Sequence, residues 1–430
     1  MMPTFSSPRA EPAGAGAPIA RHGRLSAGHS APVILKLVAA ALAVLLVSGA
    51  SIAAIAVFNI ASAIRPGVAL AGEDDEGAPK IGSIDGAVNL LLIGSDSGGG
   101  NLAYGERGEA LNDVTMLLHI SADRERASVV SFPRDLFVDI PACPNPDGQS
   151  YGPSTSEKIN QALSRGGLAC PVLTVEALTG IDIPYAAVIE FDGVIAMSNA
   201  VGGVPVCVAT AIDDRNIPFK LEAGTHTLSG VDALQFLRTR YGVGDGSDLT
   251  RISNQQQFLS SLVRTLKSSE TLSNPIKLYG IASAASQNLE FSNSLRNVDT
   301  MVSIAGALRD IPLEEVVFVK YPSALGDSGS QSGVLPIPDA AATLMAAIEA
   351  DLPIGLTGDT GGGTIAEEEP APSPSASPSA SPPASVAPEA SASPDAAAPP
   401  SRVELSDVVE GQRADQVTCS AGQSAGHPGG

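Results

Sequence analysis

Three arginines, Arg238, Arg240 and Arg251, fall inside one stretch, LQFLRTRYGVGDGSDLTRISNQQQ (234–257). The 430-residue chain around them carries 25 basic against 46 acidic side chains, a formal net charge of -21. Guanidinium forks are planar and offer several donors at once, so their concentration on an acidic protein points to an anion held by multiple bonds, usually phosphate. Spacing decides whether they can act together. Arg238 and Arg240 would diverge by about 200° on a regular helix, whereas an extended or turning backbone lets both aim at one ligand. A Gly- and Asp-rich loop follows, then Arg251, then the run Gln255-Gln256-Gln257. The competing reading is a set of surface ion pairs, each contributing little.

Ionisable groups also recur at the ends of apolar runs upstream. Residues 87–93 (AVNLLLI) read as a buried strand that stops at Gly94-Ser95-Asp96. A second strand, 114–120, starts directly after Asp113, and a third, 127–132, ends in Pro133-Arg134-Asp135. A single Asp beside Gly is more often a turn or cap residue. Three strands repeating the arrangement favour a site, because sheet proteins set their sites at strand ends. The glycines at 98–100 lack the Gly-Lys-Ser/Thr of a nucleotide-binding loop, and no dinucleotide fingerprint follows. Nothing in the Cys and His spacing suits zinc. General nucleic-acid binding is excluded by a pI near 4.5, since a reader of the phosphate backbone needs a basic face.

The elements that must position these residues can be read in order. Residues 1–32 form a Pro-, Ala-, Gly- and Ser-rich basic tail, expected to be disordered and cytoplasmic. Residues 33–61 are apolar almost throughout, longer than the roughly 20 needed to cross a bilayer. A signal peptide would have an apolar region of about 7–15 residues nearer the start. Arginines before this span and the acidic run Glu73-Asp74-Asp75-Glu76 after it put the N-terminus in the cytoplasm and the rest outside. A linker, 62–86, leads to an α/β domain expected over 87–352. Its further strands are read at 185–191, 204–208 and 316–321, and its helices at 158–163, 172–178, 194–201, 230–237, 255–266 and 339–348. Residues 358–400 are Pro/Ala/Ser-rich and expected to be a disordered linker, and 401–430 a segment too short for a domain. Four cysteines outside the cytoplasm favour disulfides. Cys143 and Cys170 bracket one loop–helix excursion, and elimination leaves Cys207 for Cys419.

Taken in order, NLLLIGSD (89–96), NDVTMLLHI (112–120), VVSFPRD (129–135), KINQAL (158–163), TVEALTGIDI (174–183), VGGVPV (201–206) and LRTRYGVGDGSDLTRISNQQQ (237–257) resemble the LytR-CpsA-Psr family of bacterial cell-envelope phosphotransferases. The resemblance implies an extracytoplasmic α/β domain with a mixed central sheet flanked by helices. It implies a Mg²⁺-assisted reaction that moves a glycopolymer-phosphate from polyprenyl pyrophosphate onto peptidoglycan at the cell membrane. Residue by residue, it gives Asp96 and Asp113 to the metal. Arg134, Arg238, Arg240 and Arg251 go to the pyrophosphate, with Gln255 taken from the glutamine run. Asp248, or alternatively Asp245, falls at the Asp-x-x-Arg element and would serve as base for the attacking sugar hydroxyl. The catalytic set is then Arg134, Arg238, Arg240 and Asp248. Many members have Arg before the glutamines; this chain has Asn254, which is therefore not expected to touch phosphate.

The chemistry suits the residues independently. Cleaving a pyrophosphate needs charge relief on both phosphates, which arginine forks and a hard cation supply. A lipid carrier also needs an apolar slot, for which the helices at 172–178 and 194–201 are candidates, though the same residues suit an ordinary core. Two alternatives share the motif set: a non-catalytic envelope scaffold or regulator that binds lipid-linked polymer, and a polyprenyl-pyrophosphate phosphatase using water. The abundance of Ala, Gly and Pro fits a GC-rich actinobacterial source.

Overall fold

A computed structural model describes residues 30–71, 86–97, 110–144, 150–366 and 402–423. The basic tail up to residue 29, the acidic run 73–76, the glycines at 98–100 and the Pro/Ala/Ser stretch over 367–401 lie outside the described residues. The chain divides into two units, 1–57 and 58–430. One helix, α1 (Ser30–Ala63), is long and apolar enough to cross a membrane. Its large apolar side chains stand exposed, as with Leu46 at 72%.

The central sheet is built from runs whose alternate side chains serve opposite faces. Its strands in chain order are β1 (Val88–Ser95), β2 (Asn112–Ile120), β3 (Ala127–Phe132) and β4 (Tyr185–Ile189). A second sheet takes β5 (Val204–Thr210) and β6 (Gly224–Leu228). The chain then adds β7 (Leu289–Phe291) and β8 (Val316–Lys320) to the first sheet, β9 (Thr364–Ala366) to the second, β10 (Gly411–Arg413) to the first and β11 (Thr418–Ala421) to the second. Among the described residues the central order is β7-β4-β1-β2-β3-β8-β10. β1 pairs antiparallel with β2 and parallel with β4, while β3 pairs antiparallel with β2 and parallel with β8. The sheet is therefore mixed, as the motif order implies.

Helices cover both faces. They are α2 (Ala169–Thr179), α3 (Phe191–Val201), α4 (Gly230–Arg238), α5 (Asp248–Lys267), α6 (Pro275–Asn288), α7 (Val298–Asp310) and α8 (Pro338–Glu349). Leu91, Ile93, Leu117 and Val130 face one way and share a core with Val172 and Val175 of α2 and Leu344 and Ile348 of α8. Leu90, Met116, Leu118 and Val129 face the other way, against Leu259 of α5 and Ile304 of α7. A third cluster joins the second sheet to α4 and α5 through Phe236 and Phe258. Each fully buried side chain such as Leu91 contributes about 2–3 kcal/mol.

The folded unit continues past residue 352, where the sequence reading ends the domain. After Ala366 the described chain resumes at Arg402. β10 then extends the central sheet beside β8, and β11 runs parallel to β5 with Cys419 opposite Cys207. Those two cysteines are bridged, as are Cys143 and Cys170. The residues over 402–423 are thus strands of this fold, too short to stand alone because their partners lie far earlier in the chain, as Val319 opposite Gly411 and Cys207 opposite Cys419 show.

Candidate active site

The carboxylates come first. β1 and β2 stay in register until Gly94 opposes Val114, then Ser95 opposes Asn112, so Asp113 is the extra residue of a bulge. A bulge re-aims a side chain, here toward a cavity beyond the strand end. Gly94 is needed at this point because a Cβ there would stand 2.9 Å from the Val114 Cβ. Asp96, just past β1, is buried and does not line the cavity; its Oδ1 accepts the Leu111 N–H at 2.9 Å.

Arg134 follows Pro133 at the end of β3. Its Nη1 donates to the Asp113 carboxylate, and its backbone N–H donates to Asp248 Oδ2 at 3.1 Å. Its buried Nε makes no hydrogen bond among the described residues.

Arg238 and Arg240 converge because α4 stops between them. Arg238 is the last helical residue, and Thr239 is extended at φ -59°, ψ 132°. Both arginines line the cavity. The Arg238 guanidinium stacks 4.5 Å from the Phe191 ring centre, and Arg240 Nε donates to the Gly246 carbonyl at 2.9 Å. The turn itself is held by Asp214. Its Oδ2 accepts the Thr239 hydroxyl at 2.8 Å and the Arg240 and Tyr241 N–H groups at 3.0 Å each, while Oδ1 accepts the Asn216 N–H at 2.9 Å. Burial alone would raise this carboxyl, but those four hydrogen bonds outweigh it and hold its pKa below the ordinary value.

The helix α5 begins at Asp248, earlier than the 255 expected, because Ser247 caps it by accepting the Thr250 N–H at 3.3 Å. Arg251 therefore sits one turn into the helix. Its Nη2 lies 2.7 Å from Asp248 Oδ1 and donates to the Asp113 carbonyl at 3.2 Å, and its Nη1 is 4.0 Å from Asp113 Oδ2. Its Nε, also buried, has no hydrogen-bond partner among the described residues. Gln255, one turn further, lines the cavity and donates to the Leu237 carbonyl at 3.0 Å.

Asp248, Asn254 and Gln257 of α5 do not line the cavity. Asp248 is 3% exposed, engaged by Arg134 and Arg251, and absent from the cavity wall. The position expected for a base thus contacts Arg134 and Arg251 here. Asp245 accepts the Ser247 N–H at 2.8 Å within the loop before α5. Asn254 donates to the Phe236 carbonyl at 2.8 Å and contacts the Ser420 hydroxyl. Gln257 donates to the Cys207 and Thr418 carbonyls at 2.8 and 2.9 Å.

The cavity has a volume of about 470 Å³. Its charged lining consists of Arg134, Arg238, Arg240 and Arg251 together with Asp113, Glu190 and Asp214. From there its wall follows α5 through Phe258, Leu259, Leu262 and Leu266, with Val194 and Met197 of α3 opposite. Arg251 and Leu266 are about 22 Å apart along the helix axis at 1.5 Å per residue. The stretch 194–201 thus lines an apolar slot, as one reading of the sequence has it. The stretch 172–178 does not; Val172 and Val175 pack in the core on the other face of the sheet.

The donor set can be tested against a cation. Asp96 and Asp113 offer hard oxygens on adjacent strands, and among the described residues no group of three or more His, Cys, Asp or Glu converges. Such a pair does not suit zinc, which needs three or four protein ligands. The donor chemistry is that of Mg²⁺, which takes one or two carboxylates and completes its shell with water and substrate phosphate, but of the two only Asp113 lines the cavity.

Asp214 was not singled out in the sequence; Asp213-Asp214 beside Arg215-Asn216 carries only the signal of an ordinary polar turn. Lys320 likewise gave none. It is buried beneath α5, donates to the Leu249 carbonyl and Ser253 hydroxyl at 3.1 Å each, and pairs with Glu410.

A model of the LytR_cpsA_psr family matches residues 61–339. Cell wall biosynthesis protein LcpA of Corynebacterium glutamicum is 31% identical over 71% of this chain and 62% of its own length, so the match leaves over a third of that relative uncovered. The polyisoprenyl-teichoic acid–peptidoglycan teichoic acid transferase TagT of Bacillus subtilis is 27% identical over 67% of this chain and 87% of its own. The crystal structure of B. subtilis TagV superposes with a TM-score of 0.50 at 21% identity, covering 62% of this chain and 97% of TagV, a likeness of fold.

Proposed function

Because the chain belongs to the LytR_cpsA_psr family, we propose that it is a cell-wall ligase that transfers a glycopolymer-phosphate from a polyprenyl-pyrophosphate carrier to a peptidoglycan hydroxyl. One observation carries the reading. A single cavity joins four arginines to an apolar wall, and a lipid diphosphate has the same two halves. The relatives' names agree: LcpA is a cell wall biosynthesis protein and TagT a teichoic acid transferase acting with peptidoglycan.

In this reading the polyprenyl chain lies along α5 and the diphosphate meets the guanidinium groups. The Nε atoms of Arg134 and Arg251 make no hydrogen bond among the described residues and could donate to phosphate oxygens, although Asp135 Oδ1 lies 3.8 Å from that of Arg134. A sugar hydroxyl attacks the phosphorus that bears the polymer; the bond to the bridging oxygen breaks, and polyprenyl phosphate leaves with the bond's electrons and takes up the hydroxyl proton. Arg238 and Arg240, fixed by Phe191 and Asp214, need no rearrangement as charge develops on those oxygens. Asp248 is a positioning residue that orients Arg134 and Arg251. Mg²⁺ bound at Asp113 would supply further charge neutralisation at the phosphates; Asp96, buried outside the cavity, would join it only by turning inward. The apolar helix α1 would anchor the protein by a single pass, with its N-terminus cytoplasmic and the domain outside, where the two disulfides are chemically at home.

The test is transfer of a radiolabelled oligosaccharide from a polyprenyl-pyrophosphate donor to purified peptidoglycan by the full-length protein. Transfer is expected, with loss in Arg238→Ala and in Asp113→Asn. Label released as free sugar phosphate at the same rate without peptidoglycan would show a phosphatase. Undiminished transfer by Arg238→Ala would remove the site assignment.

A further inference from the structure

The corner between α5 and α6 exposes four large apolar side chains within eight residues. Leu272 closes a single turn (Ser269–Leu272), and Ile276, Leu278 and Tyr279 lie in the first turns of α6. Ile276 is 81% exposed, the most of any large apolar residue described. Scattered exposed leucines are ordinary, but a compact group marks a contact surface. The corner is also held firmly. Pro275 opens α6, and Asn274 caps it by accepting the Ile276 and Lys277 N–H groups at 3.0 and 3.1 Å.

Its location says what covers it. α5 leads straight into the corner, and the last turn of α5 contributes Leu266 to the apolar end of the cavity. A smaller hollow of about 400 Å³ shares Val201 with the main cavity and is lined by Arg264, Glu270 and Lys277, with none of the four apolar side chains in its wall. Through α5 the patch is joined to the Leu266 end of the slot, about 22 Å along the helix from Arg251. At its other end α6 runs into β7, and the chain that follows the apolar helix is pinned beside this edge. The Val68 N–H donates to the Phe291 carbonyl at 3.0 Å, and the Asn293 N–H donates to the Val68 carbonyl at 2.9 Å. A chain with a bilayer-length apolar helix thus keeps its anchor-proximal segment beside the same edge strand that α6 leads into from the apolar corner.

We propose that the corner over 272–279 is a foot that inserts into the bilayer interface and opens the apolar end of the cavity to the lipid phase. The occupant is membrane lipid. Isoleucine and leucine supply buried apolar area, and Tyr279 offers the amphipathic ring favoured at that depth. A membrane-held polyprenyl chain would then enter sideways from the bilayer without crossing water. The proposal deepens the ligase reading and rests on it for the identity of that chain.

The chain has no Trp, so Ile276→Trp gives a single reporter in the full-length protein reconstituted into phosphatidylglycerol/phosphatidylcholine vesicles. Leu325→Trp, on a hairpin away from the corner and 67% exposed, is the control. With dibrominated acyl chains, emission from the Ile276→Trp protein should be blue-shifted and quenched, while emission from the Leu325→Trp protein stays unquenched. Equal quenching of both variants overturns the proposal. So does a blue shift in Ile276→Trp that follows protein concentration in detergent, which would mark a contact between two copies. In the same vesicles, Ile276→Glu with Tyr279→Glu should lower transfer from a bilayer-held donor about tenfold, as losing one or two buried apolar groups implies. Transfer from a short-chain soluble donor should be unchanged. Equal loss with both donors argues against the foot. Wild-type protein that transfers neither donor removes the ligase reading, and the quenching result still decides the foot.

Discussion

The Asp248 carboxylate accepts the backbone N–H of Arg134 at 3.1 Å and joins two stretches 114 residues apart in the chain. Through its other oxygen the same side chain meets Arg251 at 2.7 Å. One buried acid therefore sets the relative position of two of the four cavity arginines, and Asp113 faces both from the opposite side.

Asp248→Ala should be costly to the fold. It leaves Arg251, whose side chain is 7% exposed, without its nearest counter-charge, a loss of about 3–5 kcal/mol for a broken buried pair. Urea unfolding measures it, and Asp248→Asn, which keeps an acceptor for Arg134, should recover part of the loss. Full stability in Asp248→Ala with no activity would instead mean that the carboxylate acts on the substrate.

Arg134→Lys and Arg238→Lys should lower transfer by about 10²–10³ while leaving the protein folded, the usual cost of one donor to a developing anion. An ammonium group restores the charge but not the fork or the stacking of Arg238 on Phe191. Rates near wild type in both would mean that the guanidinium geometry does not matter.

Asp214 gives the site an acid limit. Its folded pKa lies below the unfolded value, with burial opposing and hydrogen bonds from Asn216, Arg240, Thr239 and Tyr241 prevailing. Between the two values the unfolded chain binds more protons, so stability rises with pH. The contribution is fully present above the ordinary carboxylate range, near pH 4, and is lost as pH falls through the folded value. Unfolding free energy followed from pH 6 to pH 3 should drop less steeply in Asp214→Asn than in wild type. That variant should also start about 2–3 kcal/mol less stable. Identical slopes would mean that the turn does not depend on this charge.

Cys419→Ser should loosen α5 from behind. The bridge to Cys207 spans 212 residues, and Thr418 and Ser420 on either side of Cys419 contact Gln257 and Asn254. A loss of about 2–5 kcal/mol is expected, with faster hydrogen exchange in α5. Unchanged exchange there would show that the helix does not rely on the strand behind it.

The strands with clean apolar periods were legible, as at 127–132 and 204–208, whereas β6, β7, α6 and α7, whose runs are short or mixed with polar residues, were not read. The Arg238–Arg240 pair was legible too, since a two-residue spacing demands that a helix end between them, and α4 ends at Arg238. Three further features were not legible, each for a physical reason. The start of α5 depends on the Ser247 cap, which a Gly- and Asp-rich loop disguises. The side of the sheet covered by 172–178 is a matter of topology, which local periodicity does not carry. The strands over 402–423 lie beyond a long Pro/Ala/Ser stretch, and only their distant partners, Val319 for Gly411 and Cys207 for Cys419, make them strands.

The most direct measurement is a crystal structure of the protein with a bound polyprenyl diphosphate. The expected result has both phosphates within hydrogen-bonding reach of Arg134, Arg238, Arg240 and Arg251, and the isoprenoid chain along Leu259, Leu262 and Leu266. Phosphates bound away from these arginines, or a chain lying outside the slot beside α5, would contradict the ligase site proposed for this cavity.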